Sequence, residues 1–133
     1  MIVLAMMLFG LNLDPLYEAI AEVESTSGKR SANVYQISTI YLRDVNRILR
    51  FHRYTFYPPF RLQDINSPSK SRDMMLVYWK FYGDRYLNRT GKNPSYEVLA
   101  RLHNGGPFKY EMRCTFHYWH KVRQVLDRKG INY

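Results

Sequence analysis

Ser67-Pro68-Ser69-Lys70-Ser71-Arg72-Asp73-Met74-Met75-Leu76-Val77-Tyr78-Trp79-Lys80-Phe81 is the stretch on which the fold turns. A serine followed by proline starts a helix. The hydroxyl accepts a free first-turn N–H, and proline lacks an N–H that would have had no partner there. Met74, Met75, Val77, Tyr78, Trp79 and Phe81 then make the helix apolar around much of its circumference. Such a helix needs neighbours on several sides, so it is expected to be central and buried.

Working outward, the flanking segments also read as helices. Asp14 as N-cap and Pro15 in the first turn open one whose stripe is Leu16, Ile20 and Val23. Ser25-Thr26-Ser27-Gly28 is its stop. A second helix follows Ser38, with Ile40, Tyr41, Val45, Ile48 and Leu49 at helical spacing. Its Arg43, Arg47 and Arg50 share another face, read as a solvated basic surface or a contact for an anion. Residues 51–66 are aromatic, interrupted by Pro58-Pro59, and read as a loop. Asn93-Pro94 opens a short helix through Val98, Leu99 and Leu102, which Asn104-Gly105-Gly106-Pro107 ends. Thr115 is expected to cap the last helix, with Phe116, Trp119, Val122 and Leu126 on its buried side and Gly130 at its end. The fold class that follows is mainly α: one domain of about five helices over residues 14–133, with little or no sheet.

Composition bounds the rest. The 133 residues suffice for one domain with a core, and 46% hydrophobic content excludes a disordered chain. The net charge of +9 favours an anionic partner such as nucleic acid, acidic lipid or a bacterial cell wall. Cys114 is the single cysteine, so no internal disulfide can form. Residues 1–13 begin with an apolar run, Met1 to Gly10, too short to span a bilayer. It resembles the apolar part of a secretory signal but lacks the preceding Lys or Arg and a clear cleavage site. A signal remnant and an element packed on the domain both remain open.

Glu24 is the chemically interesting residue. It falls one turn after Ile20, on the apolar side of its helix, whereas Glu22 is rotated away by about 200°. Desolvation and the negative end of the helix dipole both disfavour its carboxylate, which predicts an acid protonated near neutral pH. A glycosidase needs such a group to protonate a leaving oxygen. Other chemistries fit less well. His52, His103, His117 and His120 include no His-Glu-x-x-His pair, and no cysteine spacing suggests zinc. Gly105-Gly106 follows no strand and carries no P-loop lysine.

Several segments carry a resemblance. Ala21-Glu22-Val23-Glu24-Ser25 resembles the helix-end Glu-Ser of the lytic transglycosylase family with the lysozyme-like fold, particularly its compact phage and bacterial members. Val34-Tyr35-Gln36-Ile37 is similar to its second motif, and Tyr41 to Ile48 to the helix that follows. Ala100 to Pro107 resembles the third motif, and Tyr118-Trp119-His120-Lys121-Val122 the closing helix. The likeness runs over roughly residues 14–126. It implies cleavage of peptidoglycan between N-acetylmuramic acid and N-acetylglucosamine, with Glu24 as single acid and base and 1,6-anhydro ends as product. It further implies that Tyr35, Gln36, Asn104 and Tyr118 hold the sugar, that Ser25 supports the helix end at the site, and that no metal or cofactor takes part. His103 would lie in the substrate site where many relatives carry Tyr. The segment before Tyr35 is short and lacks the usual Gly. Glycan strands and anionic wall polymers are the implied partners, met by a monomer in a secreted, periplasmic or virion-associated setting.

Three other readings compete. A hydrolytic muramidase would need a second carboxylate, with Asp44, Asp64 and Glu97 as candidates. A wall-binding module would bind without cutting. A helical nucleic-acid-binding domain has only the charge and the arginine face in its favour.

Overall fold

The computed structural model describes residues 7–25, 31–52, 54 and 57–133. Among them the chain is mainly helical, with five α-helices and one two-stranded hairpin. In chain order these are β1 (Met7–Leu8), β2 (Leu11–Asn12), α1 (Asp14–Ser25), α2 (Thr39–Phe51), a 3-10 turn (Leu62–Asn66), α3 (Pro68–Thr90), α4 (Tyr96–Lys109) and α5 (Arg113–Arg128).

α3 is the central helix. Ser67 caps it by accepting from the Lys70 N–H, and Pro68 follows in the first turn. Met74 and Met75 are fully buried, as is Trp79. Trp79 donates its indole N–H to the Leu99 carbonyl of α4 at 2.8 Å and stacks on Tyr17 of α1. The largest core side chain thus ties three helices together without leaving a buried donor unpaired. α3 packs against α2 and α4, while α5 packs against α1 and α4.

Several local readings change. The carbonyl that accepts the first bond of α1 belongs to Leu13, and the Asn12 side chain takes the Asp14 N–H, so the start lies one residue earlier than Asp14. α1 ends at Ser25, the first residue of the expected stop Ser25-Thr26-Ser27-Gly28, and the other three lie outside the described residues. Ser38 caps α2 as its position suggests, but Ile40 is 76% exposed. The cap of α4 is Ser95 rather than Asn93. α5 begins at Arg113, without a side-chain cap, and Thr115 lies fully buried inside its first turn. Phe116, expected on the buried side, is exposed.

The sheet is one small hairpin, with Met7 opposite Asn12 and Leu8 opposite Leu11. Its turn places both Phe9 and Gly10 at positive φ, the geometry a two-residue hairpin needs. Leu8, Phe9 and Leu11 pack on the core, and Leu13 is fully buried. The Tyr96 hydroxyl donates to the Asn12 carbonyl. Gly83 of α3 makes room for the Phe9 ring, since a Cβ there would meet it at 2.4 Å. Residues 7–13 are therefore built into the domain.

The turn after Asn104 is a kink rather than a full stop. Gly106 has φ 76° and ψ −179°, a backbone region essentially confined to glycine, and the helix resumes for one turn through Lys109. Gly105 serves a different need. A Cβ there would stand 2.4 Å from the Thr115 methyl, so glycine sets how closely α4 and α5 approach. Thr115 is locked in place. Its hydroxyl donates to the Tyr110 and Met112 carbonyls and accepts from Arg101 Nε at 3.0 Å.

Candidate active site

A groove of about 430 Å³ opens beside the C-terminal turn of α1. α1 contributes Ala21, Glu22, Glu24 and Ser25, and the segment before α2 contributes Ser31, Val34 and Gln36. Glu24 is half-buried. Ser25 is exposed and donates its hydroxyl back to the Glu22 carbonyl at 2.8 Å, which caps a free carbonyl in the last turn.

The wall carrying Gln36 is held from two sides. Within the turn, the Asn33 side chain pairs with the Ile37 backbone in both directions, each bond 2.8 Å. Gln36 itself adopts φ 53°, a left-handed conformation that costs a non-glycine residue roughly 1–2 kcal/mol. Its backbone N–H and its side-chain amide both donate to the Asn33 carbonyl. From beneath, His103 Nε2 lies 3.0 Å from the Tyr35 carbonyl. A carbonyl can only accept, so Nε2 carries the proton, and in the neutral ring Nδ1 accepts from the Tyr41 hydroxyl at 3.3 Å. His103 is buried, and burial pushes its pKa down to about 4. It is thus a neutral imidazole at pH 7, joining α4, α2 and the Gln36 turn.

Tyr118 of α5 lies behind Glu24. It is buried, and no acceptor meets its hydroxyl at full hydrogen-bonding geometry. The Glu24 carboxylate nonetheless acts on it. Burial first and Glu24 second push the phenol well above its usual pKa, so its proton stays on. A phenolic O–H directed at a carboxylate in a partly dry site can hold that group in one orientation.

Of the residues singled out in the sequence, Glu24, Ser25 and Gln36 come together on the groove, and Tyr118 backs it. Tyr35 does not line it. Its ring is buried, edge-on to Tyr17, and its carbonyl is what reaches His103. His103 does not line the groove either. Asn104 is exposed on α4 and outside the groove lining. Asn33 was not singled out, although an Asn three residues before a left-handed residue is the kind of side chain that braces such a turn.

Glu22 departs from the helical-wheel expectation. It lines the groove too, together with Ser31, Val34 and Gln36 of the segment before α2. Its carboxylate is bonded to Arg128 and lies 3.7 Å from Lys129. The Arg128 bond holds it below the usual carboxylate range. Asp44 is held by Arg47 and Tyr82, Asp64 by the Arg61 N–H, and Glu97 by Arg101, and none of the three lines the groove. Among the described residues, no cluster of three His, Cys, Asp or Glu side chains is placed to hold a metal ion. No helix there is long and apolar enough to cross a membrane.

No protein-family model matches the chain, and no curated protein matches it significantly.

Proposed function

We propose that this chain cleaves the glycan strands of peptidoglycan as a lytic transglycosylase of lysozyme-like type, with Glu24 as the single acid and base. The observation that carries the reading is the placing of Glu24. It is a half-buried carboxyl at a helix end, on an open groove, backed by the Tyr118 phenol and accompanied by the braced Gln36. That arrangement suits an extended polymer that enters from the side and presents one glycosidic oxygen to one acid. The order of motifs along the chain supports it independently.

In this mechanism Glu24 gives its proton to the glycosidic oxygen, and the bond to C1 of N-acetylmuramic acid breaks. The sugar's N-acetyl oxygen shares the positive charge that develops at C1. The C6 hydroxyl then bonds to C1, and its proton passes to the Glu24 carboxylate. The enzyme is restored, and no water is consumed. Gln36 would hold the sugar by its side-chain amide, and Tyr118 would keep the carboxyl aimed.

A hydrolytic route needs a second carboxylate to activate water on the opposite face of the ring. Among the described residues Glu22 is the one further carboxylate lining the groove, and it is engaged by Arg128 and springs from the same helix as Glu24. The anhydro route is therefore favoured.

The test is digestion of purified peptidoglycan by wild type and Glu24→Gln, with the released muropeptides weighed. Products lighter by one water, present only with Glu24, are expected. Ordinary reducing ends would replace the transglycosylase reading with a muramidase. Sedimentation with walls but no product from either protein would leave a binding module.

A further inference from the structure

Phe108, Met112 and Phe116 are exposed apolar side chains gathered at one place, the junction of α4 and α5. Phe108 is 93% exposed, the most of any large apolar residue among those described, so its ring gains almost no packing from its own chain. A single apolar side chain on a surface needs no explanation, but three at one turn mark a contact surface. None of the three lines the Glu24 groove.

The turn that presents them is held by several hydrogen bonds. Arg101 of α4 donates from Nε to the Tyr110 carbonyl at 2.8 Å and from Nη2 to the Met112 carbonyl at 3.2 Å. Its guanidinium also lies 5.8 Å from the centre of the Phe116 ring. The Thr115 hydroxyl reaches the same two carbonyls. Phe108 sits in the helical turn that the Tyr110 N–H closes on the Gly106 carbonyl at 3.0 Å. The exposed side chains are therefore offered by a fixed frame rather than by a loose loop.

The free charge at this tip is positive. Lys109 and Arg113 are exposed, and among the described residues neither forms an ion pair. The carboxylates nearby are matched, Glu111 by Arg89 at 2.7 Å and Glu97 by Arg101 at 2.8 Å. What the tip offers is one protruding ring, an adaptable thioether and two uncommitted cations.

We propose that the α4–α5 turn docks the protein on an anionic lipid surface, with Phe108 and Met112 entering the interfacial layer and Lys109 and Arg113 meeting the headgroup phosphates. The net charge of +9 adds a longer-ranged attraction in the same sense. Lipid fits better than other anionic surfaces. A folded protein partner needs a cavity shaped to a ring that stands clear of its own chain. A fluid interface opens around such a ring and accepts the neighbouring cations in any register. Nucleic acid is gripped by cations that track its backbone and by aromatic faces that stack its bases. Met112 has no such face, and Phe116 already meets Arg101 and, edge-on, His120. The docking is peripheral, since one short turn enters and no helix among the described residues is long and apolar enough to cross. It stands apart from the reaction proposed for the groove.

The test is sedimentation with sucrose-loaded vesicles, either of equal parts phosphatidylglycerol and phosphatidylcholine or of phosphatidylcholine alone. Binding to the anionic vesicles, weakened by added salt, is expected. Phe108→Ser should lower the partition coefficient about tenfold, since a phenylalanine ring leaves water on docking. Lys109→Gln combined with Arg113→Gln should lower it about tenfold to thirtyfold, the scale of two cations at an anionic leaflet. These side chains are exposed, so the variants should fold as wild type, which circular dichroism checks. Ile40→Ser, at an exposed apolar position on α2, should bind as wild type. Phe108→Trp should give emission that shifts to the blue on anionic vesicles and is quenched by brominated acyl chains. No binding to anionic vesicles, equal binding to neutral ones, full binding by Phe108→Ser or emission that stays unquenched overturns the proposal. A loss in Ile40→Ser as large as in Phe108→Ser overturns the assignment to this turn. Self-association without lipid that Phe108→Ser abolishes would make the patch a contact between copies and overturn it as well.

Discussion

Acidification should destabilise this protein through His103 in particular. The ring is buried and neutral, with a folded-state pKa of about 4 against an ordinary 6.5. In the unfolded chain it takes up a proton well before it can in the folded one. Because the folded value is the depressed one, the stabilising effect is complete above the unfolded pKa and is lost as pH falls toward the folded pKa. Linkage puts the loss at about 2 kcal/mol by pH 5 and about 3 kcal/mol by pH 4. That is a large part of the stability of a domain this size, commonly about 5–15 kcal/mol. The assay is urea unfolding at pH 8, 6 and 5, read by the fluorescence of Trp79 and Trp119. Carboxylates titrate over the same range, so the comparison is with His103→Gln, whose amide can still donate to the Tyr35 carbonyl but cannot be charged. The variant should be weaker at pH 8 by about 1–3 kcal/mol, since the Tyr41 hydroxyl loses its acceptor. It should also show a flatter decline toward pH 5. Equal declines in the two proteins would refute the buried-neutral assignment.

Three further substitutions separate packing from chemistry. Gly105→Ala drives a methyl into Thr115, whose hydroxyl is fixed by three hydrogen bonds, so a loss of about 1–3 kcal/mol is expected in chemical denaturation. Gly83→Ala meets the Phe9 ring at the same 2.4 Å, but that ring sits on a hairpin turn and can swing aside. Alanine's better helix propensity, about 1 kcal/mol, should offset much of the cost, and a midpoint drop as large as that of Gly105→Ala would contradict this. Tyr118→Phe removes a hydroxyl that lacks a full-geometry acceptor, so stability should change by less than about 1 kcal/mol. Turnover of peptidoglycan should fall in that variant, and an unchanged rate would remove Tyr118 from the site.

The parts of this structure that could be read in the chain are those whose cause is local. Ser38 and Ser67 cap their helices because a serine before an apolar-periodic run has one good use for its hydroxyl. The burial of Met74, Met75 and Trp79 follows from how much of the helix surface is apolar. Thr115 misled for the same reason. Next to the start of a helix its hydroxyl resembles a cap, but its partners are the Tyr110 and Met112 carbonyls and an arginine fourteen residues upstream. Periodicity placed Ile40 and Phe116 on apolar faces, yet it cannot say how wide the neighbouring helix is. Glu24 was legible as a carboxyl on the apolar side of a helix end. Its companions were legible only in part, because the groove is shared with a second segment that supplies Ser31, Val34 and Gln36. Glu22 lines the same cavity, against the helical wheel. His103 was the least accessible to this kind of reading, since the carbonyl it serves is 68 residues away.

The left-handed backbone of Gln36 sets two selective pressures against each other. Glycine at that position would relieve the strain and make the turn easier to form, so a screen for thermal tolerance would reward it. The same exchange would strip the groove of an amide and leave its wall freer to wander, so, on the function proposed above, a screen for wall lysis would discard it. A position where robustness and the proposed activity would rank the same substitution in opposite order is one at which a folded chain would be held slightly away from its own optimum by its task.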